Sequence, residues 1–186
     1  MNRLSPLVLL ALLAVRPLAA QTVIRRAPPL DSARATLRDD LLVLRDSLNS
    51  VDGAAARLQR DFRDASGASL VSRARTMYQA CARSGRTVPS TRKAVLSFGL
   101  TDSAKVKRRQ NLLGAMDQLK DALVRCETEF AAMSQPDQGE RVRGYGNDRA
   151  IRVQSAIRSY ELVLRDFLGT MGIRVQPLGV GSRPTL

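Results

Sequence analysis

From Leu37 onward the chain repeats one rhythm. Leu37, Leu41, Leu44, Leu48, Val51, Ala55, Leu58, Phe62 and Ala65 follow one another in alternating steps of four and three. Steps that average 3.5 residues place all of these side chains on one stripe of an α-helix and suit coiled-coil-like packing. The pattern predicts a first helix over about 31–65, capped by Asp31 or Ser32 just after Pro28-Pro29. At 1.5 Å per residue such a rod is about 52 Å long. Gly53 is an interior flaw, costing about 1 kcal/mol relative to Ala.

A second stripe follows: Leu70, Ala74, Met77 and Cys81. The step from Ala65 to Ala74 turns a helix through about 900°, onto the opposite face. A break at Ser66-Gly67-Ala68-Ser69 restores the stripe to a common core. The periodicity leaves a hairpin and one kinked helix both open. The second segment is read as 69–84, stopped by Gly85. Residues 86–101, with Pro89 and Gly99, read as a connector whose Val95, Leu96, Phe98 and Leu100 pack down.

The third stripe is Leu112, Met116, Leu119, Leu123, Cys126, Phe130 and Met133, on a helix from Asp102 to about Ser134. Asp102 or Ser103 caps it and Pro136 ends it. Residues 136–147 (PDQGERVRGYGN) read as turn. The fourth stripe is Ala150, Val153, Ile157, Tyr160, Leu164, Phe167 and Met171, starting at the capping pair Asn147-Asp148 and stopping at Gly172. Asp121 with Arg125, Asp148 with Arg152, and Glu161 with Arg165 are acid-before-base pairs expected on outer faces. The fold class is therefore all-α: an antiparallel bundle of four main helices, the first and third long. Seams of this kind also suit a homodimer.

The beginning of the chain has a different pattern. Arg3 precedes the apolar run Leu7–Val15, and Leu18-Ala19-Ala20 offers a cut before Gln21. That is the pattern of a secretory signal peptide. The run is nine residues long, and a membrane-spanning helix needs about 20. The domain reading is a signal peptide over 1–20, an extension over 21–30, the bundle over 31–173 and a Pro/Gly-rich flexible tail over 174–186. It predicts an exported protein, periplasmic or secreted, with no transmembrane segment.

Export changes what the cysteines mean. Cys81 and Cys126 are the only two in the chain. Both lie on core stripes, of the second and third segments. A disulfide between neighbouring helices is the economical reading in an oxidising compartment. Two buried thiols and an intermolecular bond are the alternatives.

The chain carries 30 Lys and Arg against 17 Asp and Glu, a formal net charge of +13. Without Arg3 and Arg16 of the leader it is +11. Such charge can serve an anionic partner, or simply give a solvated Arg-rich surface. Export disfavours nucleic acid. Lys105, Lys107, Arg108 and Arg109 crowd the start of the third helix, where cations oppose the helix dipole. Together with free N–H groups they form a candidate anion site. Arg141, Arg143 and Arg149 precede the fourth helix, at the other end of an up-down bundle.

Catalytic chemistry finds little support. The chain has no His, so Ser-His and Cys-His nucleophiles are out of reach. Bundle metal sites need inward Glu and Glu-x-x-His pairs; the four Glu (127, 129, 140, 161) all fall off the stripes. Two Cys without His make a poor zinc set. Ser90-Thr91-Arg92-Lys93 matches S-x-x-K without its companion motifs, and Gly144-Tyr145-Gly146 is a fragment of a dinucleotide fingerprint. No cofactor or metal is expected. The functional expectation is a non-enzymatic extracytoplasmic scaffold, adaptor or chaperone-like binder of another envelope protein. The alternative is an Arg-rich binder of anionic lipid headgroups or acidic polymers.

Overall fold

A computed structural model describes residues 31–173, the side chain of Asp61 excepted. The expected signal peptide (1–20), extension (21–30) and tail (174–186) lie outside the described residues. Three long helices come first: α1 (Ser32–Asp61), α2 (Gly67–Ser97) and α3 (Ser103–Met133). A fourth rod is assembled from α4 (Gly139–Arg141), a π-turn (Val142–Gly146) and α5 (Asn147–Thr170). Right-handed helical dihedrals at Arg141, Val142, Gly146 and Asn147 make it continuous.

The helix starts follow from short polar side chains. Asp31 accepts from the Arg34 N–H at 2.8 Å, and Ser66 from that of Ser69 at 3.3 Å. Asp102 accepts from Ala104 at 2.8 Å and from Lys105 at 3.4 Å. Each bond satisfies a donor that the first helical turn leaves unpaired. At the far end Gly172, at φ +72°, lets Ile173 N–H reach the Leu168 carbonyl at 3.0 Å. A left-handed glycine closing the last turn in this way is the expected helix stop.

The rods alternate in direction. Ser84 Oγ donates to the Ser47 carbonyl at 3.0 Å and Thr91 Oγ1 to the Asp40 carbonyl at 3.5 Å. Numbers rise along α2 as they fall along α1, so 31–97 is a hairpin. The Cys81–Cys126 disulfide and the Arg92–Asp117 pair fix the same antiparallel sense for α2 and α3. Arg149–Glu129 and Arg108–Asp166 do so for α3 and α5. Arg45–Glu161 closes α5 onto α1. The result is an up-down-up-down bundle.

Its core is the stripes. Leu41, Leu44, Leu48, Val51, Ala55 and Leu58 are completely buried, as are Leu70, Met77, Leu112, Met116, Leu123, Phe130 and Phe167. Burying one such aliphatic or aromatic side chain stabilises by about 1.5–3 kcal/mol. The rod ends leave short connections, residues 62–66, 98–102 and 134–138.

Three boundaries differ from the sequence reading. Gly85 does not stop the second helix, and 86–101 is not a connector: α2 runs on through Pro89 to Ser97. Pro89 lacks the N–H that would meet the Gly85 carbonyl, a loss of about 3 kcal/mol. The stripe continues as Ser84, Val88, Thr91 and Val95, all buried, and that packing offsets the loss. The two hydroxyls are satisfied by carbonyls, so they sit in the core without an unpaired donor. As a result α2, at 31 residues, equals α3, and the first and third rods are not distinctively long. The first helix ends at Asp61, four residues short of Ala65. The fourth rod begins at Gly139 and not at Asn147-Asp148. Its wider π-turn absorbs Gly144 and Gly146, and places Val142 in the core.

Candidate functional site

Between Asp64 and Asp102 the chain contains no Asp or Glu. All of α2 lies in that interval. It carries five Arg (73, 75, 83, 86, 92) and one Lys (93) against no acid, whereas α1 balances five Arg with five Asp. The positive charge is therefore not spread evenly over the bundle. Its densest stretch is one helix.

Packing sorts these cations onto faces. Arg92 forms a two-pronged pair with Asp117, at 2.8 and 3.1 Å, which raises its already high pKa further. Arg75 donates to the Ser134 carbonyl at 3.4 Å while remaining exposed. The helical phase that buries Leu70, Ala74, Met77, Cys81, Ser84 and Val88 turns another row outward: Ser72, Arg75, Gln79, Arg83, Arg86, Ser90, Lys93 and Ser97. Every one of these is exposed. The cations from Arg75 to Lys93 span about 27 Å of helix axis. Midway along, Tyr78, Gln79, Ala82, Arg83 and Arg86 line a hollow of about 340 Å³. Behind it, Cys81 is bonded to Cys126 of α3, with 2.07 Å between the sulfurs. This clips the middle of α2 to its neighbour.

The four cations at the start of α3 do not converge. Asp102 occupies the N–H groups of Ala104 and Lys105 that an anion would use. Arg108 turns to Asp166 on α5 at 3.0 Å. Arg109 Nη1 turns the other way and donates to the Phe98 carbonyl at 2.7 Å and the Leu96 carbonyl at 3.4 Å, past the end of α2. Lys105 borders a cavity of about 690 Å³ whose lining also includes Asp31, Asp40 and Asp102. Lys107 is exposed. At the other end of the bundle, Arg143 donates to the carbonyls of Phe62, Arg63 and Ala65 and holds the α1–α2 turn. Arg149 pairs with Glu129 at 3.0 Å in an α3–α5 groove of about 470 Å³ that also contains Arg125 and Arg152.

Glu161 is a correction to the outward-pair reading. Its bond to Arg165 forms, at 3.0 Å, but Glu161 is only 6% exposed and also faces Arg45 at 3.4 Å. It joins α1 to α5, and so does a chain in which Gln59 donates to Gln154 and Gln154 to Asp52. Next to Glu161, the Tyr160 hydroxyl is buried without a hydrogen-bond partner among the described residues. Burial, reinforced by the negative charge of Glu161, pushes its ionisation far above the ordinary phenol range.

Among the described residues no group of three or more His, Cys, Asp or Glu could hold a metal ion, and no helix is long and apolar enough to cross a membrane. Comparison with protein-family models, curated proteins and solved structures finds no match. The acid-free interval was legible in the sequence, in the spacing of Asp64 and Asp102. A boundary at Gly85 divides it between a helix and a loop and conceals it.

Proposed function

We propose that this protein acts by binding, without chemistry of its own, and that the outer face of α2 is the surface it binds with. The partner is anionic envelope material. The observation that carries this reading is the exposed row Arg75, Arg83, Arg86 and Lys93 on a helix devoid of acids. Like charges held along one rigid line repel one another and raise the local potential, and an anionic partner relieves that repulsion. A disulfide fits an oxidising compartment and so supports the exported location that the leader implies.

The scaffold or chaperone-like reading would draw on a contiguous apolar groove. The large exposed apolar side chains among the described residues are Val43, Leu96, Val124, Tyr145, Ile151 and Leu162. They are scattered over all four rods, so the anionic reading is the better supported.

The test is sedimentation of the processed protein with anionic vesicles and with acidic polymers across a salt series. The reading expects binding at low ionic strength that weakens steadily as salt screens it. Failure to bind either class at low salt contradicts it.

A further inference from the structure

We infer that the α2 face is built for a linear acidic polysaccharide rather than a bilayer surface; this rests on the anionic reading above. Three features of the face support it. First, its exposed row has Gln79 and Ser90 between the cations and Ser72 and Ser97 at its two ends, and the exposed Pro89 and Leu96 of α2 stand to one side of it near its C-terminal end. A helix that lies in a membrane interface inserts large apolar side chains beside its cations. Here the apolar side of α2 is already used, buried against α1 and α3. Hydroxyl and amide groups alternating with guanidinium and ammonium groups instead match a polymer that alternates hydroxyls with carboxylates or sulfates.

Second, the face is pre-formed. Bundle packing and the Cys81–Cys126 bond hold α2 in place. An extended chain can therefore lie along about 27 Å of cations without the cost of ordering the protein.

Third, the hollow midway along the row has the half-buried Tyr78 at its edge, beside Arg83 and Arg86. The C–H face of a pyranose ring packs on an aromatic ring, while the flanking cations take the acidic substituent. A single-stranded nucleic acid would call for a succession of aromatic platforms, and one aromatic ring, that of Tyr78, stands beside this row.

The experiment compares four probes with the processed protein at equal anionic charge: heparin, mixed phosphatidylglycerol–phosphatidylcholine vesicles, a thymidine oligonucleotide and duplex DNA. The inference expects heparin to bind most tightly. The R83S/R86S/K93S variant should lose roughly a hundredfold in heparin affinity, at about fivefold per cation. R125S/R152S should bind as the parent does, and Y78L should weaken heparin binding while leaving its salt dependence unchanged. Circular dichroism confirms that each variant stays helical.

Tighter binding to vesicles than to heparin overturns the inference and leaves the anionic reading standing. Tighter binding to either nucleic acid also overturns it. An equal loss in R125S/R152S removes the assignment to α2. Failure of all four probes ends both the inference and the reading beneath it.

Discussion

Gly67 and Gly139 touch backbone to backbone. A Cβ placed on Gly139 would lie 2.5 Å from the Gly67 Cα, closer than real contacts allow, whereas a Cβ on Gly67 would meet the Gly139 Cα at an ordinary 3.6 Å. The two helix starts cross at this point, where α2 leaves the first turn and the fourth rod begins. The asymmetry gives opposite outcomes for the same substitution. Gly139→Ala should destabilise by about 1–3 kcal/mol through overpacking. Gly67→Ala should fall within about 0.5 kcal/mol of the parent, because its methyl has room. Urea denaturation of the two variants checks this.

The disulfide closes a separation of 45 residues. In the chain-entropy account such a loop is worth about 4 kcal/mol, mostly by restricting the unfolded chain. The Cys81→Ser/Cys126→Ser variant should therefore lose about that much stability while remaining helical. A midpoint unchanged between oxidised and reduced protein would contradict the bridge.

Glu161 and Arg45 are both nearly withdrawn from water, with side chains 7% and 13% exposed. Removing the Glu161 carboxylate takes a buried negative charge away from both Arg45 and Arg165, and breaking a buried pair costs about 3–5 kcal/mol. Glu161→Ala should show a loss on that scale. The joint replacement Arg45→Met/Glu161→Leu should recover much of it, since the more buried guanidinium is gone and Arg165 lies partly in water. A double-mutant cycle by thermal denaturation measures the difference.

Tyr160 predicts a change of the opposite sign. Its hydroxyl is buried without a partner among the described residues, and such a group costs about 1–3 kcal/mol. Tyr160→Phe should raise stability. The same burial fixes a pH dependence. The folded state holds the phenol proton more firmly than the unfolded state does, so the folded chain binds more protons above the ordinary phenol pKa of about 10. Its contribution is fully present below that pH and is lost as the pH rises beyond it. Alkaline titration by phenolate absorbance should show the Tyr160 phenol withheld until unfolding, and one fewer tyrosine withheld in Tyr160→Phe than in the parent.

The core was legible in the sequence because it is aliphatic and regular: every stripe residue from Leu37 to Leu58 is buried. The rhythm failed at Ser84 and Thr91, where small hydroxyl residues stand in core positions and satisfy themselves on carbonyls of α1. A reading that counts only apolar side chains ends the helix there, and Gly85 and Pro89 reinforce the error. The true end of α2 rests on tertiary packing, which local propensity does not contain. The same limit explains Glu161. Its position on the helix is one step off the stripe, and only the approach of α1 with Arg45 shows that the site is buried. The basic face was hidden by the misplaced boundary. The cluster at Lys105–Arg109 is contiguous in sequence, but neighbours in sequence on a helix point in different directions. Arg108 and Arg109 do so, toward α5 and α2 respectively.

Lysine is scarce in this chain, and that makes one measurement decisive. Lys93 stands on the α2 face, and Lys105 and Lys107 stand at the start of α3. Brief acylation of the protein with and without saturating heparin, read by peptide mass spectrometry, reports which lysine the polyanion shields. The account predicts that Lys93 is protected while Lys105 and Lys107 react as in the free protein. Protection of Lys105 and Lys107 with Lys93 left reactive would contradict it.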